Sequence, residues 1–286
     1  MRALVTGAAG QLGVELLKRA PPEFEVVGLA RSECDIADPA QVEAAVSSHR
    51  PDVVVNAAAF TAVDEAERQP SLAYAVNATG AGNVARAAEK TGARVIHVST
   101  DYVFDGTSRE PYRPDSAPNP INVYGGSKLG GEKEVMGWSS NFLVIRSSWL
   151  YASHGKNFLR TILAAMQAAK PLRIVSDLTG VPTSARSLAG AIWKSAARPE
   201  VRGIHHWVDD GAASWFDFAV AIQEIALRSG LIPKPVPITP ISWKDYKAPA
   251  LRPPYSVLDA RALSSAIQQP LRPWRNSLAE VLDESR

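Results

Sequence analysis

Short apolar strands alternating with helix-length stretches constrain the fold of this chain more than any other feature. Ala3-Leu4-Val5 runs into Gly7-Ala8-Ala9-Gly10-Gln11-Leu12-Gly13 and then a helix through Lys18. A strand pattern returns at 26–29. A helix follows over 38–48, with Asp38 at the N-cap and Pro39 at N1. The unbroken Val53-Val54-Val55 run reads as a strand buried on both faces. A helix over 72–90, a strand over 95–98, a helix over 124–135 and a strand over 142–146 continue the alternation. Parallel strands joined through helices need right-handed crossovers, so the first half is α/β, a doubly wound parallel sheet. Ligands of such sheets bind beyond the carboxyl ends of the strands.

The second half is less regular. Amphipathic helices are expected over 158–170 and 216–229. Seven prolines between Pro233 and Pro254 predict a stiff, irregular segment there, neither strand nor helix. Trp149, Trp193, Trp207, Trp215, Trp243 and Trp274 lie in this half; core packing is their ordinary role, and one or two lining a cleft is the functional alternative.

Charge excludes several functions. The chain has 286 residues, 31 basic and 29 acidic, and that near balance argues against nucleic-acid or membrane-surface partners. No run of apolar residues is long enough to span a bilayer. The single cysteine, Cys34, leaves no intrachain disulfide and no thiolate zinc cluster, and fits a cytoplasmic protein. His205 and His206, adjacent on a strand, face opposite ways and read as structural. No metal is expected.

Three constellations carry chemistry. The glycine-rich turn between strand and helix suits a pyrophosphate, received at the helix N-terminus by Gly7, Gly10, Gln11 and Leu12. At the end of the second strand stands Ala30-Arg31-Ser32, with no acid until Glu33. Arginine there accommodates a ribose 2′-phosphate, so the cofactor expected is NADPH, with NADH the alternative. Tyr124 and Lys128 are four apart, on one face of a helix. An ammonium held ~4.5 Å from the phenol would stabilise its anion by roughly 3–4 kcal/mol at an effective dielectric of ~20. That would bring a tyrosine from ~10 to ~7–8 before desolvation opposes it. Thr100, just past the strand ending at Val98, offers a hydroxyl for a substrate carbonyl.

Together these features resemble the dTDP-4-dehydrorhamnose reductase family of extended short-chain dehydrogenase/reductases. The resemblance spans nearly the whole chain and is most specific in Asn56-Ala57-Ala58-Ala59-Phe60-Thr61-Ala62-Val63-Asp64 and Ser99-Thr100-Asp101-Tyr102-Val103-Phe104. It extends through Cys34-Asp35-Ile36, Asn122-Val123-Tyr124-Gly125-Gly126-Ser127-Lys128, Arg146-Ser147-Ser148-Trp149-Leu150-Tyr151, Asn157-Phe158, Gly180-Val181-Pro182-Thr183 and Arg252-Pro253.

The resemblance implies a Rossmann-type domain over 1–147 and about 177–206, interleaved with a smaller substrate domain over 148–176 and 207–286. It implies NAD(P)H-dependent reduction of dTDP-4-dehydro-L-rhamnose to dTDP-L-rhamnose. Tyr124 would donate the proton, Lys128 tune it and hold the nicotinamide ribose, and Thr100 orient the carbonyl. Asp35 and Ile36 match adenine contacts, and Ala58, Ala59 and Thr61 line the cofactor path. Asp101, Trp149 and Arg252 match contacts to the sugar nucleotide, Arg252 through its diphosphate.

Two departures stand out. Leu178 replaces a usual glutamine, removing a hydrogen bond in the cleft. Arg186 follows Pro182-Thr183-Ser184-Ala185 where an acid is expected, against the magnesium ion that bridges subunits in some relatives. Monomer and homodimer both stay open. The alternatives are another sugar-nucleotide reductase or epimerase, and a non-catalytic cofactor-binding subunit like the regulatory subunit of methionine adenosyltransferase.

Overall fold

The computed structural model describes residues 1–284. The central sheet contains β1 (Arg2–Thr6), β2 (Glu25–Leu29), β3 (Val53–Asn56), β4 (Arg94–Thr100), β5 (Phe142–Ser147) and the strand Gly203–His206. Their spatial order is β2, β1, β3, β4, β5, then Gly203–His206, with every pairing parallel. The order reverses between β1 and β3, and a ligand crevice opens where it does. Val53, Val54 and Val55 are fully buried, as a strand covered by helices on both faces requires.

The helices of the first half are α1 (Gln11–Lys18), α2 (Pro39–His49), α3 (Val63–Arg68), α4 (Pro70–Tyr74), α5 (Gly80–Thr91) and α6 (Val123–Trp138). The Asp38 side chain accepts from Ala40 and Gln41 N–H, and Pro39 stands at N1, where its missing N–H costs nothing. The single helix expected over 72–90 is divided by a π-turn, Ala75–Thr79. Asn77 explains the division. Its Oδ1 accepts from Phe60 N at 2.8 Å, and its Nδ2 donates to Phe60 O at 3.0 Å and Ser127 Oγ at 2.9 Å. The wider turn aims this amide at the loop after β3 instead of along the helix.

One face of the sheet is covered by α1 and the helix Ala185–Ala196, with Leu12, Leu16, Leu188 and Ile192 in the core. The other is covered by α2 and α5, through Val42, Val46, Val84 and Ala88. A separate core joins helices Phe158–Gln167, Trp215–Arg228 and Trp274–Asp283 around Phe218, Ile222, Trp274 and Leu278.

The proline-rich segment corrects the sequence reading. Ile238–Ile241 is a strand, paired in parallel with Leu172–Val175, and Trp243–Tyr246 is a helical turn. Pro237 O accepts from Leu172 N and Ile241 O from Ser176 N, so the intervening Pro240 faces away from its partner strand. An edge strand of two tolerates a missing N–H on its outer side.

Candidate active site

A cleft of about 580 Å³ runs along the carboxyl edge of the sheet. The turn after β1 forms one end. Gly7 has φ +71°, and a Cβ there would stand 2.7 Å from the Ala58 backbone. Only glycine lets the β1 and β3 loops approach so closely. Gly10 caps α1 with extended backbone and no capping side chain, and the first turn carries no acid. The free N–H groups of that turn therefore suit an anion. Gly7, Gly10, Gln11 and Leu12 all line the cleft there.

Arg31, Asp35 and Ile36 reach the same cleft from the loop after β2, and Ala58, Ala59 and Thr61 from the loop after β3. Arg31 is 72% exposed and pairs with Asp35 at 3.1 Å. Its exposed head is therefore accessible to an incoming phosphate. These residues fit a phosphorylated dinucleotide.

Thr100, Asp101, Tyr124 and Lys128 meet in the middle of the cleft. Asn122 caps α6 by accepting from Gly125 N at 2.7 Å, which starts the helix just before Tyr124. Thr100 ends β4; its hydroxyl donates to Asp101 Oδ1 at 3.0 Å and accepts from Tyr102 N at 3.2 Å. The same hydroxyl is close enough to the Tyr124 phenol to act on its acidity. The Tyr102 ring meets that of Tyr124 edge-on, 5.7 Å between centroids.

Burial decides the protonation of this group. It pushes the Tyr124 phenol up to about 12, with the Thr100 hydroxyl opposing and the Asp101 charge adding to the rise. The fall to ~7–8 expected from Lys128 is not found, because desolvation outweighs it and the ammonium is engaged elsewhere. Lys128 Nζ donates to Val98 O at 2.7 Å and lies 3.4 Å from His97 Nε2. Burial lowers Lys128 to about 8, against the charge of Glu132. Burial also raises the Asp101 carboxyl to about 7, opposed by hydroxyls of Ser256 and Thr100. The phenol is thus protonated at neutral pH, as a proton donor must be.

Trp149 lines the opposite wall. It is held at φ +44°, unusual for a bulky residue, and its indole lies over Gly180, where a Cβ would come within 2.5 Å. Gly180 is needed here for room, not for backbone freedom. Trp215 meets Trp149 edge-on at 6.0 Å, and Trp243 and Tyr246 extend the aromatic wall.

Arg252 is the one expected site residue that does not line the cleft. Its Nη2 donates to Asp64 Oδ2 at 2.7 Å, Nη1 to Asp64 Oδ1 and to Ala250 O, and its guanidinium lies 5.1 Å over the Trp243 ring. Leu178 is buried and does not reach the cleft either. Sequence reasoning gave no site role to Lys156 and Asn157, which line the cleft beside the glycine turn. Asn157 Nδ2 donates to Gln11 Oε1 at 2.7 Å, tying the two halves of the chain together. The Asn157-Phe158 pair was the available signal.

His205 and His206 lie outside the cleft, their ring nitrogens 3.1 Å from the carbonyls of Arg202 and Tyr112. Arg186 sits among carboxylates, 3.6 Å from Glu280 and 3.2 Å from Glu284. A guanidinium already neutralises them, and no group of three or more acidic, histidine or cysteine side chains among the described residues is placed to hold a metal ion. The residues present do not fit a magnesium ion at this position.

The whole chain, residues 1–286, matches the family model described as RmlD substrate binding domain. It is 41% identical to the dTDP-4-dehydrorhamnose reductase of Burkholderia thailandensis, covering 96% of each chain. It is 40% identical to the spore coat polysaccharide biosynthesis protein SpsK of Bacillus subtilis, covering 99% of this chain and 97% of that one. The crystal structure of dTDP-4-dehydrorhamnose reductase from Bacillus anthracis in complex with NADP superposes with a TM-score of 0.93 at 34% identity, covering 99% of both. With a doubly wound parallel sheet, a glycine turn and a Thr-Tyr-Lys group in one cleft, the chain belongs to the RmlD substrate-binding-domain family, that of the dTDP-4-dehydrorhamnose reductases.

Proposed function

We propose that this protein is an NADPH-dependent reductase that converts dTDP-4-dehydro-L-rhamnose to dTDP-L-rhamnose. The observation that carries this reading is the convergence of Thr100, a protonated Tyr124 and Lys128 in the cleft that the glycine turn also lines. The relatives named as this reductase, and the NADP complex of one of them, support it.

NADPH, when bound, supplies the hydride. Gly7, Gly10, Gln11 and Leu12 hold its diphosphate at the start of α1, with Arg31 for the 2′-phosphate and Asp35 and Ile36 for the adenine side. Ala58, Ala59 and Thr61 line its path, and Lys128 takes the nicotinamide ribose. NADH is the weaker alternative, since the Arg31 charge meets no anion at a bare 2′-hydroxyl. Tyr124 gives its phenolic proton to the ketone oxygen as negative charge develops there, and Thr100, its hydroxyl turned from Asp101, donates to the same oxygen. Asp101 and Trp149 position the sugar, the indole face meeting its C–H surface. Arg252 serves the diphosphate once its pair with Asp64 opens. The free thiol of Cys34 suits the reducing cytoplasm, where a monomer or homodimer would work on a diffusing nucleotide sugar.

Incubation with dTDP-4-dehydro-L-rhamnose should consume NADPH in proportion to substrate and give dTDP-L-rhamnose. No net NADPH loss, with the ketosugar left unchanged or only isomerised as by an epimerase that recycles its cofactor, would contradict the proposal.

A further inference from the structure

Lys128 is gripped from behind by a group to which the reaction above assigns no part. An ammonium has three N–H donors. Val98 O takes one at 2.7 Å and His97 Nε2 stands 3.4 Å away, so the third is left for the cleft. Behind the imidazole, Nδ1 lies 3.1 Å from Asn56 Nδ2, and Asn56 Oδ1 accepts from Thr6 Oγ1 at 2.8 Å. His97, Asn56 and Thr6 are all buried.

We infer that His97, backed by Asn56, is a positioning residue for the reduction, matching its tautomer to the protonation state of Lys128 and so fixing where the third N–H points. This rests on the role given to Lys128 under the proposed function. Burial keeps His97 neutral, so one ring nitrogen donates and the other accepts. Against a charged Lys128, Nε2 accepts and Nδ1–H needs an acceptor, which the amide oxygen of Asn56 provides when the amide turns over from the orientation above. Against a neutral amine the pattern reverses, with the amide nitrogen donating to Nδ1 and Nε2–H facing the lysine. The Thr6 hydroxyl both donates and accepts, so the Asn56 amide has a partner in either orientation. The other charged or titratable groups around Lys128 are Tyr124 and Glu132, one turn away on α6, and Asp101 after β4. Glu132 is already matched by Arg146 on β5, with bonds of 2.8 and 2.7 Å.

His97→Leu removes the acceptor at little cost in volume. The ammonium is then less favoured, so the alkaline limb of kcat/KM should move down by about one pH unit. Activity near pH 8 should fall about fivefold, while activity near pH 6 stays close to that of the parent. His97→Gln, which restores a side-chain acceptor, should return the limb towards its place. An equal loss at every pH, or an unmoved limb, would overturn the inference. Nitrogen-15 NMR of histidine-labelled parent protein gives a second reading, independent of folding in the variant and of ketosugar turnover. His97 should carry its proton on Nδ1 while Lys128 is charged and on Nε2 above its titration; a tautomer that stays fixed through that range overturns the inference, even in a protein inactive on this ketosugar.

Discussion

The two sides of the cleft are built by different means. The cofactor side is mainly backbone: strand ends, a glycine turn and the unpaired N–H groups at the start of α1. The substrate side is side chains: Trp149 in a left-handed conformation, backed by the Trp215–Trp243–Tyr246 cluster, with Arg252 clamped to Asp64 outside the cleft. A backbone site fails when something is added to it. A side-chain site fails when something is taken away.

The largest expected effect breaks the backbone side. Gly7→Val forces a β-branched residue into φ +71° and drives its Cβ against Ala58. Left-handed strain of ~1–2 kcal/mol and overpacking of ~1–3 kcal/mol should add to a loss of about 2–5 kcal/mol, read from the denaturation midpoint. NADPH protection against unfolding should vanish with it. If Gly7→Val keeps normal stability and cofactor binding, the close-approach argument is wrong.

A smaller effect sharpens the side-chain half. Asp64→Asn weakens the clamp on Arg252, so KM for the nucleotide sugar should change several-fold while kcat moves less. The Arg252 guanidinium beside Asp64 holds its carboxyl below the usual carboxylate range. A depressed folded-state pKa gives stabilisation that is present above the unfolded value of ~3.9 and lost as pH falls through the folded value. Thermal scans between those two values should therefore show a shallower acid decline in Asp64→Asn than in the parent. Matching declines would mean that the pair adds nothing to the fold.

The smallest effect is expected at Arg31, an exposed side chain whose ion pair is worth at most ~1 kcal/mol. Arg31→Ala should reduce the NADPH-over-NADH preference by about two- to fivefold, seen in the ratio of kcat/KM values. An unchanged ratio would move recognition of the 2′-phosphate elsewhere.

The contrast also explains what was legible in the sequence. Asp38-Pro39, the triple valine and the glycine turn are local signals with a single backbone reading, and the structure matches each. Asn77 was missed as a helix breaker because its partners, Phe60 and Ser127, are distant in sequence. The strand at Ile238–Ile241 was missed because proline excludes a strand only where its N–H would face a partner, and pairing sides are set by tertiary structure. Fifteen of the sixteen expected site residues line one cleft, and the exception, Arg252, is held by a carboxylate from the other half of the chain. The phenol's acidity was misjudged because charge spacing is visible in a sequence and desolvation is not.

The central claim is that Tyr124 supplies the proton from within this cleft. Its most direct test is single-turnover oxidation of bound NADPH by dTDP-4-dehydro-L-rhamnose in Tyr124→Phe, with NADPH affinity measured on the same preparation. The account predicts a rate at least ~10²-fold below the parent with cofactor affinity largely kept. A near-parental rate in the variant would contradict it.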